Sequence, residues 1–161
     1  MIKPIKKLNF LNREKAQTMV EFALVFPIVL LITYGIIEFG RMIWIYAAVT
    51  GSARDGARYG ASAGDLDARN YLDCPGIIGA AKRGAILTTI TVDEIWYDHG
   101  PGTTPEVAND CDPSMLIALG DRIGVHVVAQ YQPIIPFLGV PALNFTASNA
   151  RTILMNIQMS P

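Results

Sequence analysis

The sequence is short of what enzyme chemistry needs. Its 161 residues include two histidines and two cysteines. Neither His99 nor His126 stands at ligand spacing from Cys74 or Cys111, and zinc asks for about four ligands. No serine or cysteine occupies a G-x-S-x-G turn. No glycine-rich loop joins a strand to a phosphate-binding helix; the glycines of "GSARDGARYGA" lie inside a helical stretch. Charge is scarce as well. Charged residues are 17% of the chain and the formal net charge is -1, which excludes a global pull toward nucleic acid or anionic lipid. The expectation is a non-enzyme with no cofactor, no metal and no nucleic-acid partner.

Weaker signals have plain readings. Asp65, Asp67 and Asp73 gather in one loop and Asp98, Asp110 and Asp112 in another. Calcium wants several oxygen ligands, but no EF-hand pattern is present, so solvated loop charge is expected. His126 falls on a strand whose other face is apolar, which fits a solvent-facing or structural role, and His99 sits in an exposed Gly-Pro loop. "NFT" at Asn144 fits the N-glycosylation pattern in a segment that reads as a strand. Arg54, Asp55 and Arg58 read as a solvated helix face or as a salt-bridge ring between packed subunits.

What the chain has in excess is apolar residues, 51% of the total, concentrated in one N-terminal block. No charge occurs from Phe22 to Ile37, a run of about 16 residues; counted from Met19 and accepting Glu21 it approaches the roughly 20 that span hydrocarbon. Lys3, Lys6, Lys7, Arg13 and Lys15 precede it against Glu14 alone. That asymmetry predicts a cytoplasmic N-terminus and an exported C-terminal part. Pro27 removes one backbone donor and is expected to bend the helix, which a membrane segment tolerates. The helical pattern continues past the membrane edge. Glu38 and Arg41, three apart, can pair, and Trp44 and Tyr46 suit an interfacial level. A helix from Gln17 to about Tyr59 runs roughly 65 Å at 1.5 Å per residue. Ala48, Ser52, Gly56, Gly60 and Gly64 form a ladder of small residues four apart, a groove for close backbone approach. It serves either the protein's own domain or neighbouring copies.

The exported part reads as α+β. "SAGDLDARNYLDCPG" is a polar loop ended by Pro-Gly, and Ile77 to Leu87 a short helix. In "TTITVDEIWYD", Ile90, Val92 and Glu94 are expected on one face and Thr91, Asp93 and Ile95 on the other. "HGPGTTPEVANDCDPS" reads as a loop. In "DRIGVHVVAQYQP", Ile123, Val125, Val127, Ala129 and Tyr131 alternate with Gly124, His126, Val128 and Gln130. An apolar, proline-broken loop "PIIPFLGVPA" leads to a last strand in "LNFTASNARTILMNI". The expected architecture is one long helix stacked on a small antiparallel sheet of about three strands. Cys74 and Cys111, both exported, are expected to form a disulfide rather than remain thiols, closing a loop worth about 4 kcal/mol in the chain-entropy model.

Glu21 stands at the front edge of the apolar run. A secretory signal would be cut at an A-x-A site just after its core; "ASA", Ala61 to Ala63, lies far beyond it. A simple anchor would tolerate Glu21 near the positive end of the helix but gives it no task. "AQTMVEFALVFPIVLLITYGIIEFGRMIWIYAAVTGSARDGARYGA", Ala16 to Ala61, resembles the TadE-like pseudopilins of tight adherence (Tad or Flp) type IV pili. The shared elements are a basic leader, a small residue, x-x-x-x-Glu-Phe opening an apolar helix with an early proline, then Glu-Phe-Gly-Arg and Ala-Arg-x-Gly-Ala-Arg elements.

The resemblance implies a domain plan of 1-16 as a cytoplasmic leader, 17-60 as membrane and spine helix, and 61-161 as the exported α+β domain. It implies cleavage by a prepilin peptidase between Ala16 and Gln17, with Ala16 where glycine is usual, and an assembly role for Glu21 and Phe22. The membrane span would run from Phe22 through Pro27 to Ile37. The implied partners are the peptidase, other pilins and copies of the chain, the pilus assembly platform and its ATPase, and the membrane. The implied location is the inner or cytoplasmic membrane as a single-pass protein, then the extracellular pilus, where the protein serves assembly and adhesion. The family usually supplies minor subunits. A major-pilin role, or an anchored extracytoplasmic binding domain that never polymerises, are the competing readings.

Overall fold

The computed structural model describes residues 11–63, 69–85, 88–135 and 141–153, with side chains from Gln17 onward. Helix α1 spans Leu11–Ala61 and continues through Pro27 without a break in helical assignment. A 3₁₀ turn covers Asn70–Leu72, and helix α2 covers Cys74–Lys82. Strands β1 (Ile90–Asp98), β2 (Glu106–Val107), β3 (Arg122–Tyr131) and β4 (Leu143–Thr152) follow. They form one antiparallel sheet in the order β2-β1-β3-β4. The class is α+β. The chain divides into two compact units, residues 1–40 and 41–161.

In the second unit the later part of α1 supplies one wall of the core. Ile45, Val49, Ala53, Ala57 and Ala61 recur every fourth residue and are all buried, as a helix with one apolar face requires. The small-residue ladder lies beside them. Gly56 and Gly60 are where the helix comes closest to its neighbours. A Cβ on Gly56 would meet Ala81 Cβ at 3.2 Å and Val125 Cγ1 at 3.3 Å; on Gly60 it would meet Ile123 Cδ1 at 2.7 Å. Ser52, Gly56 and Gly60 therefore belong to the domain's own core, and Ala48 packs at its margin. Gly64 lies outside the described residues.

Strand β3 alternates as its sequence predicts. Ile123, Val125, Val127, Ala129 and Tyr131 are at most 1% exposed. Strand β1 departs from strict alternation. Its register against β3 shifts between Val92 and Glu94, so Asp93 is an extra, unpaired residue. A bulge of this kind reverses the facing of everything after it. Ile95 and Tyr97 thereby join Ile90 in the core, all at 2% exposure or less, while Glu94 is exposed. The expected division of Ile90, Val92 and Glu94 from Ile95 is corrected by that one residue. Trp96, on the outer face, covers Gly124 directly opposite it. A Cβ at Gly124 would collide with the indole ring, so the strand keeps glycine there to seat the tryptophan.

Two other expectations change. Helix α2 begins at Cys74 rather than Ile77 and ends at Lys82; Ile86 and Leu87 lie outside the described residues. Pro75 opens this helix instead of closing the loop before it, because proline's missing N–H costs nothing in a first turn. Asp73 caps it, accepting from the Gly76 N–H at 3.1 Å and from the Tyr59 hydroxyl at 2.6 Å. The second difference is a fourth strand. The two residues of β2 pair with Trp96 and Tyr97 inside the segment expected to be loop. Cys74 and Cys111 are joined by a disulfide with a Cα–Cα distance of 5.6 Å across 37 positions. It ties the start of α2 to the turn after β2.

One end of the sheet is held by charge. Arg122 donates to both carboxylate oxygens of Asp98, at 2.8 and 2.6 Å, and the Gly100 N–H donates to Asp98 at 2.9 Å. The hydrogen bonds from Arg122 lead in holding the Asp98 carboxyl below the usual range, against the opposing effect of burial. Beside it, burial works to raise the Asp121 pKa, but the Ala118 N–H and the His99 ring outweigh it and the net shift is downward. Groups with depressed folded-state pKa values stabilise the fold above the unfolded value and lose that contribution as pH falls through the folded one. Stability is expected to be flat at neutral pH and to fall below about pH 4, the ordinary carboxylate value. Thermal melts of Asp98→Asn against pH check this. The variant should start less stable and show a shallower acid limb; parallel curves would remove Asp98 from the explanation.

Candidate functional site

Residues 17–40 of α1 are the site to explain. From Met19 to Ile37, Glu21 apart, the helix is apolar all round and exposed nearly all round. Met19 is 75% exposed, Phe22 64%, Leu24 66% and Ile36 69%. An amphipathic surface helix hides one stripe; a helix apolar on every side needs an apolar medium on every side. The exposed band far exceeds the few hundred Å² that soluble monomers leave open. Among the described residues one helix, Gln17–Ala61, is long and apolar enough to cross a membrane.

Two of the polar side chains in this segment are satisfied within the helix, whereas the Tyr34 hydroxyl is buried without a hydrogen-bond partner among the described residues. Thr33 Oγ1 donates to the Val29 carbonyl at 2.8 Å, the back-bond that lets a hydroxyl sit in hydrocarbon. Phe22 and Phe26, one turn apart, stack with centroids 5.1 Å apart. Pro27 has no N–H, so the Ala23 carbonyl lacks its i+4 donor. Glu21 is the single charge between Lys15 and Glu38. It is exposed, and its Oε1 accepts from Gln17 Nε2 at 3.2 Å, one turn earlier. Gln17 and Glu21 thus share a helix face, with an amide as the only described partner of the carboxylate.

The remaining expected site residues fall as follows. Ala16 is helical in backbone, and its side chain lies outside the described residues, as do residues 1–10. Phe22 and Ile37 are exposed. Ala48, Ser52, Gly56 and Gly60 belong to the domain core. Arg54, Asp55 and Arg58 are exposed and form no ion pair among the described residues. Of the loop carboxylates, Asp65 and Asp67 lie outside the described residues. Asp73 and Asp98 are committed to a helix cap and an arginine, and Asp110 accepts from the Asp112 N–H at 3.3 Å. His126 is half-buried opposite Glu94. The Asp98–Arg122 and Asp121–His99 contacts were not anticipated. Asp121–Arg122 at the head of an alternating strand was their only trace in the sequence.

Helix α1 is thus apolar and exposed in its first part and lines the core of the α+β domain in its second. Residues 16–58 match the family model for TadE-like protein, 43 of the 161 residues. The matched segment contains Glu21, the apolar span and the first three residues of the small-residue ladder, Ala48, Ser52 and Gly56. It supports a pilin-like protein associated with Tad pili and with the membrane. Comparison with curated proteins and with solved structures gave no match.

Proposed function

We propose that the chain is a minor or initiating subunit of a Tad-type pilus. It resides in the membrane as a precursor with residues 1–16 in the cytoplasm. A prepilin peptidase removes them between Ala16 and Gln17, and an assembly platform and its ATPase draw the trimmed helix into a stack with other pilins. The α+β domain stays outside, where it contacts partners or surfaces in adhesion.

The observation that carries this reading is a lone carboxylate, Glu21, on an otherwise apolar and exposed helix. Cleavage creates an α-amino group at Gln17, ordinarily charged near neutral pH with a pKa of about 8. When helices pack side by side and exclude water, that amine and a neighbour's Glu21 attract far more strongly than in water. A stagger that leaves either one unpaired is penalised. The carboxylate therefore sets the register between subunits while the apolar faces supply contact. Mass spectrometry of the chain recovered from a pilus-producing host should find Gln17 as the first residue. Recovery with residues 1–16 attached from intact filaments would refute the processing step.

A further inference from the structure

The two edges of the sheet are treated differently. The β1 edge is closed. β2 covers Trp96 and Tyr97. Asn109 accepts from the Ile95 N–H at 2.8 Å, and the Ala108 N–H donates to the Ile95 carbonyl at 2.9 Å. The bulge at Asp93 and the exposed Asp93 and Glu94 protect the rest. These are the devices that stop an edge from recruiting another strand.

The β4 edge has neither a covering strand nor a bulge among the described residues. It pairs with β3 over ten residues without a register shift. It contains no proline and one charge, Arg151. No described residue pairs with its outer side. The Ile153 N–H bonds the Asp121 carbonyl, so odd-numbered residues of this antiparallel pair turn their backbone groups toward β3. Asn144, Thr146, Ser148, Ala150 and Thr152 turn theirs outward. Their side chains are small and uncharged.

We infer that the outer edge of β4 pairs antiparallel with β4 of a second copy, about a two-fold axis at Ser148. This register places Asn144 opposite Thr152, Thr146 opposite Ala150, and Ser148 opposite itself. It is the antiparallel self-pairing in which all five outward residues exchange hydrogen bonds, about ten in all. It also meets the charge requirement. Arg151 falls opposite Phe145 of the partner copy, and the two arginines stand at opposite ends of the ribbon. An isologous contact of this kind closes after two copies. It does not depend on the assembly role of Glu21.

Cysteine cross-linking of the full chain in membranes tests the register. A hydrogen-bonded antiparallel pair has Cα atoms about 5.5 Å apart, within disulfide reach. Under mild oxidation Ser148→Cys should form a dimer on non-reducing gels. Thr146→Cys alone should not, since its own counterpart lies four residues, or about 13 Å, along the partner strand. Mixed Thr146→Cys and Ala150→Cys chains should cross-link to each other. A second variant, Ser148→Lys, puts two like charges at the axis and should abolish the native dimer while its circular dichroism spectrum stays that of the folded parent, with any fall in melting temperature no larger than loss of the dimer accounts for. A folded Ser148→Cys chain that remains monomeric overturns the inference, as does equal cross-linking at 146 and 148. Adding Glu21→Ala to the Ser148→Cys chain should leave its cross-linking unchanged, so failure here is distinguishable from failure of the pilus reading.

Discussion

Glu21→Ala is expected to insert into the membrane as well as the parent chain and to be lost from filaments. Two opposing contributions lead to this. Replacing a carboxylate by a methyl group removes an unfavourable charge from the front of an apolar span, so insertion is if anything easier. In the assembled state the same change strips the Gln17 amine of its counter-charge. Two unit charges 4 Å apart attract by about 4 kcal/mol at an effective dielectric near 20. Leaving one of them buried alone costs several more. Either is enough for a tenfold or larger loss of incorporation, since about 1.4 kcal/mol is already a factor of ten. Glu21→Gln separates charge from shape: it keeps the volume and the hydrogen-bonding capacity and should fail almost as badly. Quantitative blots of membrane and sheared-filament fractions measure both. Filament incorporation of Glu21→Ala at the parental level would leave the chain an anchored domain that does not polymerise.

Removing the Cys74–Cys111 disulfide is expected to have the largest effect on stability. The bond spans 37 positions, and the loop-closure model assigns such a link about 4 kcal/mol, with measured values commonly about 2–4. Total domain stability is about 5–15 kcal/mol, so a large share is at stake. The link also holds an unfavourable backbone. Cys111 adopts φ 57°, a left-handed conformation that a non-glycine residue keeps only when its surroundings demand it. Near it, Glu106 accepts from the Ser114 and Met115 N–H groups at 2.6 and 3.2 Å, so the segment on the far side of the link is stapled as well. A Cys74→Ser/Cys111→Ala chain should melt roughly 10 °C lower and lose its sensitivity to reductant. The parent should fall to the same temperature when reduced. Equal melting temperatures would show that the hydrogen-bonded loop holds itself.

How far the sequence could be read depended on whether a residue's role was local. The span from Phe22 to Ile37 was legible because no packing partner is needed to see that it has no charge and no polar face. β3 was legible for a similar reason: its alternation is uninterrupted and both its neighbours pair without disturbing it. β1 has equally strong strand residues, yet Ile95 was placed on the wrong face. Nothing in "TVDEIW" says that Asp93 will be skipped by the partner strand; that is decided by pairing with β3. The start of α2 was misplaced because Pro-Gly breaks chains and also opens helices, and the Asp73 cap that decides between them is completed by Tyr59 from α1.

The small-residue ladder shows the limit most clearly. Ala48, Ser52, Gly56 and Gly60 announce close approach, and sequence spacing is the same whether the approaching surface is a neighbour's helix or the protein's own sheet. Only the tertiary structure, by setting Ile123, Val125 and Ala81 against those glycines, assigns the groove to the domain core. Nor could the sequence indicate which strand ends at an open edge, since edge position is a property of the sheet and not of any segment in it. By itself the sequence determined the apolar helix and the isolation of Glu21 within it, because hydrophobicity and charge are carried residue by residue. Facing, capping and edge position were decided only in the folded sheet, because each depends on partners distant along the chain.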